Sequence, residues 1–281
     1  MPSELLDPRI KVGFDFEKTT RDNYTDPSAS LGGDFADVRR DLDAQWHGSY
    51  CISRQLLQDN LVKEALGLNR GSHPNFQGNV QPFILYTGGA MGAGKGYTMS
   101  WMKKKGIVSI PNFRHIDPDV FRRKLPEWKY YVKLNQATAG SLTHLESSMI
   151  AEIAQEVALK HNMNIWVDGS LSDHDWFITQ LTRIRNLFPH YRVAVVHVSA
   201  SEECIMQRCE LRAQSTGRVV PLEKIRYSLH SSIETVMRVA PPLVDVVAMI
   251  ANEKDAPQLV SVNHEPVKSD GWEFLRKLLH V

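Results

Sequence analysis

Thr87-Gly88-Gly89-Ala90-Met91-Gly92-Ala93-Gly94-Lys95-Gly96-Tyr97-Thr98 is the stretch on which the reading of this 281-residue chain turns. Pro82-Phe83-Ile84-Leu85-Tyr86 precedes it, an apolar, β-prone run that predicts a buried strand. Tyr97 to Lys105 reads as a helix. Strand, glycine-rich turn and helix in this order form the setting of a phosphate-binding loop. Glycine opens backbone angles closed to other residues, so successive N–H groups can converge on one anion, and the helix N-terminus adds partial positive charge there. Lys95 supplies a mobile full charge for the β- and γ-phosphates. Gly89, Gly94 and Lys95 fit the spacing G-x-x-x-x-G-K. Ala90, Met91, Gly92, Ala93, Gly96 and Tyr97 complete the expected nucleotide-binding segment. After the lysine, where a Ser or Thr hydroxyl would reach Mg²⁺, stands Gly96. Thr98 lies in another direction on the helix. Mg²⁺ is therefore expected to rest on phosphate oxygens, water and a carboxylate. The competing reading is an ordinary glycine-rich turn; the strand before it and the lysine inside it argue for phosphate.

Composition narrows the classes. A 42% hydrophobic fraction is enough for a sizeable core. A net charge of +1 gives no global attraction to nucleic acid or to an anionic membrane. No apolar run reaches membrane-spanning length. Met1-Pro2-Ser3-Glu4 lacks the pattern of a signal peptide, and three cysteines suit a reducing compartment, so a cytoplasmic protein is expected. Cys204 and Cys209 read as packing residues.

Residues 1–33 are polar and rich in turn formers, a loosely attached lead-in. Asp34 to His47 and Tyr50 to Leu68 read as two helices, the second with a stripe of Leu56, Leu57, Leu61, Val62 and Leu66. Residues 1–80 are thus expected to be an N-terminal helical extension, and 81–281 the main domain. There strands at 83–86, 113–116, 164–168, 192–198 and 244–251 alternate with helices, among them 141–160, 173–187, 201–213, 221–238 and 271–279. That alternation predicts an α/β fold with a mostly parallel sheet and helices on both faces. Ligands of such sheets sit beyond the carboxyl ends of the strands. The glycine loop, Asp117, Asp119 and Asp168 all fall at such ends.

Phosphoryl transfer needs charge on the phosphates, a metal, and a group that orients or deprotonates the acceptor. Asp168 is the candidate metal-orienting acid, against a reading as a turn or capping aspartate. Asp119 is the candidate general base, with Asp117 as support or cap and Pro118 at the first helical position. Arg208, Arg212 and Arg218 are candidates to offset transition-state charge, against a solvated helix face. Arg122, in the run Arg122-Arg123-Lys124, is a candidate contact to an anionic substrate. Asp173-His174-Asp175 fits a helix N-terminus better than a metal site.

The loop, then Ile116-Asp117-Pro118-Asp119 with Phe121-Arg122, then Val167-Asp168-Gly169-Ser170, together resemble the zeta toxin family of P-loop kinases. Arg54-Gln55-Leu56-Leu57-Gln58-Asp59 resembles what precedes the loop in larger, eukaryotic-type members. The resemblance implies a P-loop kinase fold and transfer of phosphate from ATP or GTP, with Mg²⁺, to a hydroxyl; bacterial members act on an amino-sugar nucleotide. It also implies Lys95 on the phosphates, Asp119 as base, Asp168 as the acid after the third strand, and Ser170 touching substrate. Arg208 or Arg212, with Arg218, would clamp phosphate, and Asn252 would lie near the adenine. Gly96 and Ser172 depart from the family pattern, at the metal and at the substrate. The expected ligands are a nucleotide and a small hydroxyl compound, without nucleic acid or membrane; the sequence does not specify an antitoxin-like partner. Two alternatives stay open: a nucleotide-binding module with little transfer, and a polynucleotide 5′-hydroxyl kinase, which the near-neutral charge disfavours.

Overall fold

The structure, a computed structural model, describes residues 6–68, 81–108, 113–216, 220–239, 243–253, 256–267 and 270–279. In chain order its elements begin with α1 Thr20–Tyr24, α2 Ala36–Asp41, α3 Ala44–His47, α4 Ile52–Leu66, β1 Phe83–Gly88, α5 Lys95–Lys104 and β2 Arg114–Ile116. Then come α6 Pro118–Lys124, α7 Trp128–Leu134, α8 Gln136–Leu142, α9 His144–Lys160, β3 Ile165–Asp168, α10 His174–Leu187 and β4 Arg192–Ser199. The last are α11 Glu202–Thr216, α12 Leu222–Arg238, β5 Val246–Ala251, β6 Gln258–Val262, β7 Glu265–Pro266 and α13 Gly271–Leu279.

The chain divides into two compact units, Met1–Asn75 with Ile116–Lys160, and Phe76–His115 with His161–Val281. This differs from a cut at residue 80. The reason lies in α9, which packs against both α4 and α6 and so gathers the helices after β2 into the first unit.

The second unit holds the seven-stranded sheet, in the order β2-β3-β1-β4-β5-β6-β7. β1 pairs in parallel with β3 and with β4, and β4 in parallel with β5. Every residue of β1 is buried, as a central strand covered on both faces requires. Alternation sends Phe83 and Leu85 into a core with Met99 and Met102 of α5 and Leu275 and Leu279 of α13. Tyr86 leaves by the opposite face and meets Phe177 of α10 edge-on, centroids 5.1 Å apart. This is the mixed α/β architecture expected. The antiparallel β5–β6–β7 edge was not. Its signal was present: β6 alternates, and the two-residue turn Asn263-His264 has positive φ at both positions (50° and 67°), the geometry hairpins favour.

In the first unit, the helix expected over Asp34–His47 is two. Leu42 is extended, and the Asp43 side chain accepts from Gln45 N and Trp46 N to start α3 anew. The helix expected from Ser141 also starts later, at His144; Thr143 ends α8 and returns its hydroxyl to Ala139 O at 2.8 Å. The lead-in is not loose: Tyr24 is buried and donates its hydroxyl to Glu127 Oε1 at 2.6 Å.

The apolar stripe expected on α4 needs correction. Leu56 is exposed, and the buried face carries Arg54, Gln55, Gln58 and Asp59 before Leu61, Val62 and Leu66. Burying such groups costs several kcal/mol unless they are paired, on the order of the penalty for an uncompensated ion. They are paired. Arg54 grips Glu146 through Nε (2.6 Å) and Nη2 (2.8 Å), and Glu127 through Nη1 and Nη2 (both 3.0 Å). Its guanidinium lies 4.0 Å from the Tyr24 ring centroid. Gln58 donates to Glu146 Oε1 at 2.9 Å, and Arg39 pairs with Asp59 at 2.7 Å. Burial pushes the Glu146 carboxyl up, but the charge and hydrogen bonds of Arg54 outweigh it and hold the group below the ordinary range.

Candidate functional site

The loop between β1 and α5 owes its path to two glycines. At Gly89 φ is +129°, and a Cβ would overlap the Val198 carbonyl oxygen of β4. At Gly94 φ is +88°, and a Cβ would overlap Asn252 Nδ2. Only glycine fits either position. The turn closes through Ala93 N–H on Ala90 O (3.1 Å), and α5 begins with Thr98 N–H on Gly94 O (2.9 Å). Met91 and Gly92 sit against α11, where Cys209 Sγ donates to Met91 O at 3.5 Å. The Lys95 ammonium folds back over the loop and donates to Gly89 O (2.9 Å) and Ala90 O (3.5 Å). Tyr97 is exposed. Gly96 faces open space: an added Cβ would meet nothing within 4 Å. Thr98 is buried, and its hydroxyl has no hydrogen-bond partner among the described residues, so it turns into the protein and cannot replace the hydroxyl missing at 96.

Asp168 closes β3 beside Thr87 of β1, with which it is in register. Thr87 Oγ1 donates to Asp168 Oδ1 at 2.8 Å, and Trp166 Nε1 donates to Thr87 Oγ1 at 2.9 Å. The segment after Asp168 is joined to the loop: Gly169 N–H donates to Thr87 O (3.1 Å), and Gly89 N–H to Ser170 O (3.2 Å). Ser170 Oγ accepts from Ser172 N–H at 3.3 Å. Asp173 caps α10, accepting from Trp176 N–H at 3.0 Å, so it serves the helix as its sequence indicated.

Arg208 and Asn252 grip the loop from outside. Arg208 Nη1 donates to Asn252 O at 2.9 Å and to Gly92 O and Ala93 O, both at 3.4 Å; Nη2 donates to Glu253 O. Asn252 Nδ2 donates to Ala93 O at 2.8 Å. Both side chains, assigned by resemblance to phosphate and adenine, hold loop carbonyls. Arg212 lies exposed one turn along α11, and Arg218 falls outside the described residues. Glu253 accepts from Ser201 N–H (2.7 Å) and Oγ (2.8 Å), ahead of α11. The Ser201 hydrogen bond holds its carboxyl below the ordinary range, with Arg208 a smaller cause. His197, beside Gly88 in the β1–β4 register, is wholly buried with Nε2 3.1 Å from Ser232 Oγ. Burial, and then the charge of Lys95, push its pKa down to about 4, so the ring is neutral beside the loop. Sequence reasoning gave no role to Thr87, Trp166 or His197. The alternation of β3, which puts Trp166 on the face of Asp168, was the one usable signal.

In the first unit, Asp117 caps α6 by accepting from Asp119 N–H at 2.7 Å, with Pro118 at the first position. Asp119 Oδ1 receives Arg122 Nη1 at 2.5 Å. Arg122 is not on a solvated face: it is buried, with Nη2 3.5 Å from His144 Nδ1. Asp117, Asp119 and Arg122 are thus brought together, as are the loop, Lys95, Asp168, Ser170, Arg208 and Asn252 in the second unit. No helix among the described residues is long and apolar enough to cross a membrane.

The family model described as Zeta toxin matches residues 70–264, well over half the chain. Among solved structures, one from work on the PezAT chromosomal toxin–antitoxin system of Streptococcus pneumoniae is similar, with a TM-score of 0.58 and 18% identity over 84% of this chain and 90% of that one. A second, AvrRxo1-ORF1 with AvrRxo1-ORF2 and ATP, has a TM-score of 0.59 and 16% identity over 93% of this chain and 82% of that one. At such identities these likenesses speak to fold. No curated protein sequence matches.

Proposed function

The chain belongs to the zeta toxin family, and from that premise we propose that it is a P-loop kinase transferring the γ-phosphoryl group of ATP or GTP to a hydroxyl of a small molecule. The observation that carries the reading is the glycine loop at the end of β1 with the Lys95 ammonium folded over it. A charged donor of that kind can move from loop carbonyls to phosphate oxygens at little cost. ATP bound to the AvrRxo1-ORF1:ORF2 complex gives independent support for a nucleotide in this fold.

In the proposed reaction the acceptor oxygen attacks the γ-phosphorus, the bond to the β-phosphate oxygen breaks, and the acceptor proton goes to Asp119. Arg122 orients that carboxylate. Ser170 contacts the acceptor, and Asp117 fixes the turn that presents Asp119. Arg212 and Arg218 stand with Arg208 as the candidate phosphate clamp, which requires Arg208 to exchange loop carbonyls for phosphate. Asp168 would hold Mg²⁺ directly or through water, with the phosphates as its other ligands. Its place beside the loop and the open space at Gly96 fit a metal held without a loop hydroxyl. When bound, the ion would neutralise charge across the β- and γ-oxygens. A nucleotide sugar is the acceptor class to try first, and the cytoplasm the compartment.

The test is incubation with ATP, Mg²⁺ and a pool of nucleotide sugars and nucleosides, followed by mass analysis for a gain of one phosphate. Lys95→Ala should abolish the gain and Asp119→Asn should cut it by about 10²-fold or more. Normal turnover in both variants would refute the assignment. Gly96 favours a second reading, a nucleotide-dependent binding module with little transfer; tight nucleotide binding with no phosphorylated product would select it.

A further inference from the structure

Gly96 removes the hydroxyl that would share the metal with Asp168, so the presentation of this carboxylate rests on other groups. Asp168 and Thr87 are paired in register on neighbouring parallel strands, and their side chains leave one face side by side. Trp166, two residues before Asp168, shares that face. Trp166 Nε1, Thr87 Oγ1 and Asp168 Oδ1 form a chain with links of 2.9 and 2.8 Å.

The direction of both links is forced. An indole nitrogen only donates, an ionised carboxylate only accepts, and a hydroxyl has one hydrogen to give. With a lone pair taken by Trp166, the Thr87 proton goes to Asp168. Thr87 is wholly buried, so water does not compete for it, and hydrogen bonds in series strengthen one another. The indole is itself fixed, stacked on the His115 ring with centroids 3.9 Å apart and planes at 20°.

We propose that Thr87 and Trp166 are positioning residues for the metal-holding carboxylate, compensating for the hydroxyl absent after Lys95 by fixing the acid left to orient the ion. The proposal rests on the kinase reading. Groups that orient a metal ligand in this way are typically worth about 10–100-fold in metal affinity. Thr87→Val removes the hydroxyl and keeps the shape. Trp166→Phe removes the N–H and keeps a ring, and Thr87→Ser keeps the hydroxyl.

The experiment uses the full chain with a non-hydrolysable ATP analogue and Mn²⁺ as the probe, free Mn²⁺ being read by electron paramagnetic resonance. Analogue affinity is measured separately in chelator. Thr87→Val should weaken Mn²⁺ binding to the complex by about 10-fold or more. Trp166→Phe should weaken it less, Thr87→Ser should restore it, and metal-free analogue affinity should stay at the wild-type value throughout. Wild-type Mn²⁺ affinity in Thr87→Val overturns this inference and leaves the kinase reading standing. Equal losses of metal and metal-free nucleotide binding overturn it too, since they mark general damage to the loop. A wild-type complex that takes no Mn²⁺ overturns both. If Thr87→Val does not fold, Trp166→Phe decides, and unchanged Mn²⁺ affinity there refutes the proposal.

Discussion

Replacing Arg54 by Met should destabilise the protein severely, with a pH dependence opposite in sign to that of an ordinary buried acid pair. Met fills much of the arginine stem and offers no donor. Four hydrogen bonds of 2.6–3.0 Å disappear, and Glu127 and Glu146, both wholly buried, are left without the cation between them. Breaking a buried pair by removing one partner costs about 3–5 kcal/mol. At about 2–4 °C per kcal/mol for a large domain, the melting midpoint should fall by roughly 10 °C. In the native protein the Glu146 carboxyl is held below its ordinary value of 4.5. Its contribution is therefore present above the unfolded pKa and lost as pH falls through the folded one. Without Arg54 the hydrogen bonds from Gln58 and Thr20 still act downward, but burial, the largest influence on Glu146, raises the folded pKa. The variant should then be least stable at neutral pH and should recover relative to the parent as acid protonates Glu146. Urea denaturation of both proteins from pH 7.5 to pH 5, followed by circular dichroism, reads the difference. A deficit below about 1 kcal/mol, or one that widens on acidification, would refute the reasoning. Adding Glu146→Gln to the Arg54→Met variant should recover part of the loss.

Further outcomes follow from the second unit. Gly96→Ser points a hydroxyl into open space, so it should fold normally and lower the Mg²⁺ concentration needed for half-maximal nucleotide binding; an unchanged Mg²⁺ titration would remove that position from the metal site. His197 has a folded pKa pushed down from 6.5 to about 4, so its neutral form is favoured by folding: that stability is complete above about 6.5 and is lost as pH falls towards 4. An imidazole resonance titrating near 4, and a flatter acid limb in His197→Gln, are expected; a midpoint near 6.5 would contradict the burial argument. Arg208→Lys keeps the charge and loses the fork that spans the loop carbonyls, so nucleotide affinity should fall about 10-fold, measured by calorimetry.

Some of this was legible early because it depends on residues close together in sequence. The buried apolar strands β1, β4 and β5, glycines at 89 and 94 and a lysine at 95 are local demands of the backbone, and α13 begins and ends where its pattern said. Asp117 as a cap needed only Pro118 and Asp119 to be read. What misled was polarity. On α4 a leucine stripe suggested the buried face, yet Leu56 is exposed and Arg54 is inside. Its partners lie 73 and 92 residues away, and no local pattern announces that two glutamates will meet one arginine. Arg122, read as a contact to an anionic substrate, is likewise buried, against Asp119.

By itself the chain's order of residues determined the alternation of strand and helix, the phosphate loop and the absence of a hydroxyl after its lysine, since each follows from short-range sterics and side-chain chemistry. Only the tertiary structure decided which polar groups lie buried and what satisfies them: Arg54 between two glutamates, Arg208 and Asn252 on the loop carbonyls, Trp166 and Thr87 behind Asp168. Desolvation makes such groups costly alone and tolerable in company, and their company is drawn from strands and helices that meet only when the chain folds.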